Sequence, residues 1–149
     1  MTNKFAYDEV PYPSFVFPQT HPDSLGAMAT IFGMNPARPE KCRVLELGCG
    51  DGTNLLSFAY VLPNSKFVGI DLSQVHIDQA NQIAGRLGIS NTNFLKEDIL
   101  ELDTASLGKF DFIIAHGLYS WVPKIVRERV LEIYGSCLAE NGVGYISYN

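Results

Sequence analysis

Cysteine is scarce in this sequence, and cationic excess and long apolar runs are missing. The three cysteines, Cys42, Cys49 and Cys137, are odd in number and share no C-x-x-C spacing. A disulfide framework and a structural zinc site are therefore not expected, no metal ligands are assigned, and a reducing cytoplasm is the expected location. Eleven Lys and Arg face sixteen Asp and Glu, a net charge of -5, so the electrostatic footprint of a nucleic-acid partner is absent. No apolar run approaches the roughly 20 residues that span a bilayer. The N-terminal MTNKFAYDEVPYPSF has no apolar core of secretory type. Repeats, low-complexity tracts and linkers are missing too, so the 149 residues read as one domain, long enough to bury a core.

What is present is an alternation. Pro11, Pro13, Pro18 and Pro22 punctuate a segment rich in rings (Phe5, Tyr7, Tyr12, Phe15, Phe17), which reads as an extended arm. Pro22 suits a helix's first turn, with Leu25, Met28, Ala29 and Phe32 at helical spacing and Gly33 as a stop. Residues 1–41 thus form an arm plus a helix, and residues 42–149 a separate core. In that core CRVLEL, KFVGI, NFLKE, FDFIIA and VGYISY read as strands. Helices are expected over Thr53 to Val61, from the Ser73 cap to Leu87, briefly over Asp103 to Leu107, and from Pro123 to a stop at Gly142. The last carries Val126, Val130, Ile133, Tyr134 and Leu138 on one side. Such alternation implies an α/β fold with a parallel sheet and helices on both faces. Ligands of such sheets sit beyond the carboxyl ends of the strands, at the topological switch point.

Within VLELGCGDGTNLL, the glycines Gly48, Gly50 and Gly52 follow the first strand of this core. Glycine lets a ligand touch main chain, and the following helix turns its N–H groups toward the site. A tight strand–helix turn would explain the glycines equally well. Two further acids stand in register with them. Asp71 ends the second strand, where a carboxylate can accept from both ribose hydroxyls, although it could also cap the next helix beside Ser73. Asp98, after the third strand, can accept from an adenine amino group while Ile99 packs on the ring; the alternative is an exposed loop acid. Three such features at three successive strand ends favour a nucleotide-like ligand. A dinucleotide fits poorly, because Thr53 stands where G-x-G-x-x-G wants a third small residue. No Lys or Arg lies between Arg43 and Lys66, whereas Glu46 and Asp51 flank the turn. Negative charge favours a cation over a pyrophosphate. An adenine nucleoside with positive charge and no phosphate, such as S-adenosylmethionine, meets the description.

VLELGCGDG, FVGIDLS, KEDIL, FDFIIAHGLYSWVP and LAENGVGYISYN together resemble the class I S-adenosylmethionine-dependent methyltransferases, from Cys42 to Asn149. YDEVPYPSFVFPQTHP with AHGLYSWVP is similar to bacterial methyltransferases bearing a C-terminal methyltransferase regulatory domain, a group that protein-lysine methyltransferases resemble. The resemblance implies a Rossmann-like methyltransferase fold, S-adenosyl-L-methionine as cofactor and S-adenosyl-L-homocysteine as product. It also implies cofactor contacts from Glu46, Gly48, Cys49, Gly50, Asp51 and Asn54 around the loop. Asp71 would take the ribose, Leu72 and Ile99 the two faces of the adenine, and Asp98 its amino group. His116 lines the pocket in this reading, and Tyr12, Gln19 and Thr20 join it if the arm covers the cofactor; otherwise the arm is an aromatic strap on the core. The family's sheet has seven strands, so a chain ending with the fifth is expected to be an N-terminal portion. The strand Val143 to Tyr148 would then be an open edge that pairs with a second copy.

Methyl transfer needs alignment and exclusion of water, and a base only if the acceptor arrives protonated. His116 and Tyr119, past the fourth strand, are the candidate catalytic groups; His116 is equally read as a strand-end residue lining the pocket. Tyr119 and Trp121 could face a cation, or pack beneath the following helix. Cys49 has no partner to make it a nucleophile, and His21 and His76 read as a helix start and a helix surface. Two alternatives to a methyltransferase stand beside it: a cofactor-binding or assembly module without transfer activity, and a nicotinamide-dependent oxidoreductase. The acceptor is open, with protein lysine suggested by the resemblance.

Overall fold

The computed structural model describes residues 14–148. Apolar runs of five or six residues form the central strands, because both of their faces are covered. Strand β1 spans Arg43–Leu47, β2 Lys66–Asp71, β3 Thr92–Lys96 and β4 Phe110–Ala115. A fifth strand, β5 (Leu138–Ile146), lies beside β4. All pairings are parallel and the order is β3-β2-β1-β4-β5. The chain steps from β1 outward through β2 to β3, then returns to the other flank of β1 for β4 and β5. The reversal opens a crevice at the carboxyl ends of β1 and β4, and the glycine loop leads out of β1 there.

Side chains alternate between the two sheet faces, as the pleat requires. Val44, Phe112 and Ile114 face one core with Leu55, Leu56, Phe58 and Ala59 of α2 (Thr53–Val61) and Ile77, Ala80 and Ala84 of α3 (Gln74–Leu87). Leu45, Leu47, Ile113 and Ala115 face the other core with Val130, Ile133, Tyr134 and Cys137 of the last helix. Glu46 has the parity of Val44, so its carboxylate points toward α2 rather than into the other core.

Local signals account for most boundaries. The Ser73 hydroxyl caps α3 by accepting from the His76 N–H, and Gly88 closes it in left-handed geometry. Asp103 caps the short α4 (Thr104–Leu107). In α1 (Pro22–Ile31) the His21 ring takes the cap, its Nδ1 accepting from the Asp23 N–H.

Two expectations need correction. α1 buries Leu25, Gly26 and Ala29, but Met28 and Phe32 face outward at 55% and 78% exposure. Helical spacing fits several stripes, and the small residues win here because Gly26 sits 3.9 Å from the Phe112 ring, measured from its would-be Cβ. The last helix, α5 (Lys124–Cys137), ends five residues before Gly142, and β5 begins at once. Leu138 pairs with Phe110, and a register shift then brings Val143 opposite Phe112. Sheet pairing overrides the helix-stop signal of Gly142.

Candidate functional site

The loop from Gly48 to Gly52 turns on three glycines with positive φ. A Cβ on Gly50 would meet open space, whereas one on Gly52 would lie 2.7 Å from the Phe94 ring and 2.9 Å from Ala80 Cβ. Gly50 therefore leaves main chain bare toward the crevice, and Gly52 lets α2 settle on β3 and α3. Asp71, at the tip of β2, holds the loop: its Oδ2 accepts from the Gly50 N–H and its Oδ1 from the Ser73 N–H, both at 2.9 Å. A carboxylate oxygen has a second lone-pair direction, so Asp71 retains accepting capacity. His76 Nδ1 stands 3.6 Å from Asp71 Oδ1.

Below the loop, Glu46 is 4% exposed. Its Oε1 accepts from Asn54 Nδ2 at 2.9 Å, while its Oε2 has no hydrogen-bond partner among the described residues. Burial pushes the Glu46 carboxyl up to about 8, the Asn54 hydrogen bond opposes this, and the nearby Asp71 charge adds to it. Asn54 carries the chain of bonds onward: Nδ2 donates to Thr20 Oγ1 at 3.1 Å and Oδ1 accepts from the Phe17 N–H at 2.9 Å. A strap of residues 14–20 thereby closes one side of a cleft of about 150 Å³. Its Phe17 ring stacks on His116, past β4, with centroids 3.6 Å apart, and Tyr145 lies parallel to His116 at 6.1 Å. Burial lowers the pKa of His116, keeping its imidazole neutral near neutral pH.

Of the residues picked out in the sequence, Glu46, Gly48, Cys49, Gly50, Asp51, Asn54 and His116 line this one cleft. Asp71 adjoins it through the loop. Thr20 lies wholly buried beneath it, bonded to Asn54 rather than open to a ligand. Leu72, 38% exposed, and the half-buried Asp98 and Ile99 sit at the tips of β2 and β3, outside the cleft. Asp98 accepts from the Leu100 N–H, and the Ile99 carbonyl accepts from Arg129 Nε of α5. Tyr12 falls outside the described residues. Tyr119 packs on the second core and against Tyr148, away from the cleft. Trp121 is 67% exposed and does not pack beneath α5 as expected.

The cysteine expectation stands on geometry: Cys49 is 8% exposed, and burial, with the Glu46 and Asp71 charges, pushes its thiol up and keeps it protonated. Asp51 feels burial first, which raises it, but hydrogen bonds from Ser14 and Thr53 outweigh that and leave it below the ordinary carboxylate range. Sequence reasoning missed Ser14, Phe15, Phe17 and His76 as cleft residues. His76 had a signal, since the first turn of a helix capped at Ser73 faces Asp71. The arm was expected to cover the cofactor through Tyr12, Gln19 and Thr20; Ser14, Phe15 and Phe17 themselves gave no signal, because the cleft residues they meet lie tens of residues away. Among the described residues no Lys or Arg lines the cleft, so its chemistry is that of an anionic, partly aromatic site suited to a cation.

A family model described as methyltransferase domain matches residues 39–148. RP789 of Rickettsia prowazekii (strain Madrid E) is 48% identical over 143 residues, covering 96% of this chain and 26% of that protein. RP028 of the same organism is 45% identical over 148 residues, covering 99% of this chain and 59% of its own length. The chain thus spans between about a quarter and three fifths of these relatives. Among solved structures, PKMT2 from Rickettsia typhi in complex with AdoHcy superposes with a TM-score of 0.89 at 42% identity, over 93% of this chain and 26% of that one. With the glycine loop, the acidic strand tips and the sheet order already in place, these matches make the chain a member of the methyltransferase domain family.

Proposed function

We propose that this chain binds S-adenosyl-L-methionine and serves S-adenosylmethionine-dependent methyl transfer. The observation that carries the proposal is Glu46 Oε2: a buried carboxylate oxygen with no partner among the described residues, beside bare loop backbone. An orphaned acceptor in a low-dielectric site favours a cationic donor, and an amino-acid ammonium supplies one. The cleft's 150 Å³ is smaller than the roughly 300–1,000 Å³ of whole-ligand pockets, so it suits the amino-acid end of the cofactor. Leu72, Asp98 and Ile99 at the neighbouring strand tips would serve the adenine, and Asp71 the ribose. When bound, the cofactor contributes a methyl carbon made electrophilic by a positively charged sulfur.

The chain's own residues then have three tasks. Glu46 and the bare main chain at Gly50, over which a Cβ would meet open space, fix the ligand's position. The strap, with Phe17 against His116, excludes water from one side. His116, neutral and flanked by rings, forms a wall toward the acceptor and can take a proton there. Tyr119 has no place in this arrangement. Exposed Phe15 beside the Phe17–His116 stack gives the cleft mouth apolar, aromatic walls, which suit an alkylamine. Protein lysine is therefore the acceptor class we favour. Residues 14–41 act as strap and flanking helix, and 42–148 as the cofactor core. Among the described residues no helix is long and apolar enough to cross a membrane, and three unpaired cysteines fit a reducing cytoplasm.

Calorimetry on this chain tests the proposal directly. S-adenosylhomocysteine should titrate to one site and NAD should give no binding heat; the reverse result, or silence with both, overturns it. A methyl-transfer assay on a longer form alongside this chain then separates an enzyme from a binding module. Association is a further part of the proposal. β5 has a neighbour on one side only among the described strands, and the exposed Ile31 and Phe32 lie at the end of α1, a helix that packs on it. Open edges of this kind pair, and a second copy across Val143 to Tyr148 is the expected occupant. Sedimentation at high concentration should give twice the chain mass; a single-chain mass rejects the dimer.

A further inference from the structure

One polar chain runs from the cleft floor into the strap, and its meaning rests on the cofactor reading above. We infer that Asn54 is a positioning residue that makes docking of the Phe17–Thr20 strap and capture of a cation by Glu46 one coupled event.

Asn54 is 4% exposed, so its amide must be satisfied by protein. Both Nδ2 hydrogens are committed, one to Glu46 Oε1 and one to Thr20 Oγ1, and Oδ1 accepts from the Phe17 N–H. Thr20 Oγ1 meanwhile donates to the Phe17 carbonyl at 2.9 Å, so its hydrogen is spent and it can only accept from Asn54. Flipping the amide would set two N–H groups against the Phe17 N–H and an oxygen against Glu46. Asn54 therefore has one orientation, and that orientation does two things. It holds Glu46 Oε1, leaving Oε2 with no partner among the described residues in a side chain that lines the cleft, and it holds the Phe17 backbone so that the ring rests on His116.

These two effects are linked through charge. A cation at Oε2 keeps the carboxylate ionised, and a hydrogen bond to an ionised acceptor is about twice as strong as a neutral one. The Asn54–Glu46 bond then tightens, and with it the grip of Oδ1 on the strap. Linkage is reciprocal, so a docked strap raises affinity for the cation by the same factor. Asn54 was grouped with the cofactor contacts on sequence grounds; its hydrogen-bonding atoms are all taken by protein, and it acts through Glu46 instead.

Amide exchange by NMR on the whole chain separates the parts. In the unliganded protein, Asn54→Ala should speed exchange of the Phe17 amide by about tenfold, one hydrogen bond's worth at 1.4 kcal/mol per decade. Saturating S-adenosylhomocysteine should slow that amide by about tenfold in the unaltered chain and leave it unmoved in Asn54→Ala, while the Gly48–Gly52 amides slow in both. Thr20→Val provides a second variant should Asn54→Ala fail to fold: it keeps the Asn54–Glu46 and Asn54–Phe17 bonds, removes the Thr20 hydroxyl that links Asn54 to the strap, and should lower affinity by the same factor by which it weakens the strap's response. The coupling is overturned if the strap responds equally in Asn54→Ala, or if the loop slows in the unaltered chain and the strap does not. Should neither segment respond to S-adenosylhomocysteine, the cofactor reading fails and takes the coupling with it, while the unliganded comparison still judges the lock.

Discussion

Glu46→Gln is expected to weaken S-adenosylhomocysteine binding by roughly 30- to 5,000-fold at pH 8, read by calorimetry. Truncating one partner of a buried, hydrogen-bonded charge pair costs about 2–5 kcal/mol, and each 1.4 kcal/mol is about tenfold. The substituted amide keeps the acceptor for Asn54 and puts an uncharged NH2 donor where the ionised Oε2 stood, so it can no longer accept from a cation. The unliganded fold should hold its thermal midpoint, because a buried carboxylate costs desolvation that an amide does not. Binding lost with the midpoint kept places Glu46 against the ligand's cation; binding kept removes it from the site.

A pH dependence accompanies this result. Burial raises the Glu46 pKa to about 8, so between the unfolded value near 4.5 and about 8 the folded chain holds a proton that the unfolded chain has released. The sign is that of a raised acid: unliganded stability falls as pH rises through that window. Capture of a cation needs the ionised form, so affinity should increase from pH 6 toward 8, by up to about tenfold per unit. Glu46→Gln should be flat over the same range.

Gly52→Ala should destabilise the fold by about 2–5 kcal/mol. Gly52 has φ +75, where an alanine pays roughly 1–2 kcal/mol. Its Cβ would also press into the Phe94 ring at 2.7 Å and Ala80 Cβ at 2.9 Å, and overpacking adds about 1–3 kcal/mol or more. At about 2–4 °C per kcal/mol for a chain of this length, the melting midpoint should drop by on the order of 4–20 °C. Phe94→Leu in the same chain should return part of that loss, since the ring is the nearer obstacle. Gly50→Ala should fold far better, as its Cβ meets open space, and should lose binding instead. Equal midpoints for the two alanine variants would show that Gly52 is not a packing glycine.

Much of this arrangement was legible in local chemistry. Thr53 to Val61 is bounded by a glycine loop and Pro63, and the helix occupies those bounds. Ser73 and Gly88 mark both ends of α3 because capping and left-handed closure are local events. Where tertiary contacts decide, the residues alone were silent. Gly142 looks like a helix stop, yet Leu138 finds Phe110 first and β5 starts there. Met28 and Phe32 share helical spacing with Leu25 and Ala29, and only the close seat of Gly26 over Phe112 tells which stripe turns inward. Glu46 stood out as an acid beside glycines, but its half-satisfied state depends on Asn54 and on burial. Tyr119 and His116 lie three residues apart, and the geometry of one tight turn sends one to the core and the other to the cleft.

The order β3-β2-β1-β4 also works as a ruler. Adjacent strands stand about 4.8 Å apart, so the row of four tips measures about 14 Å end to end. Fragments test its scale: on the proposed placement, free methionine should reach only the Glu46 half and adenosine only the Asp71 half. Joined in one molecule, the second half binds at high effective concentration, so the intact compound should far outbind both pieces added together. Selection by length, more than by any single contact, would then keep the abundant shorter metabolites from filling the crevice.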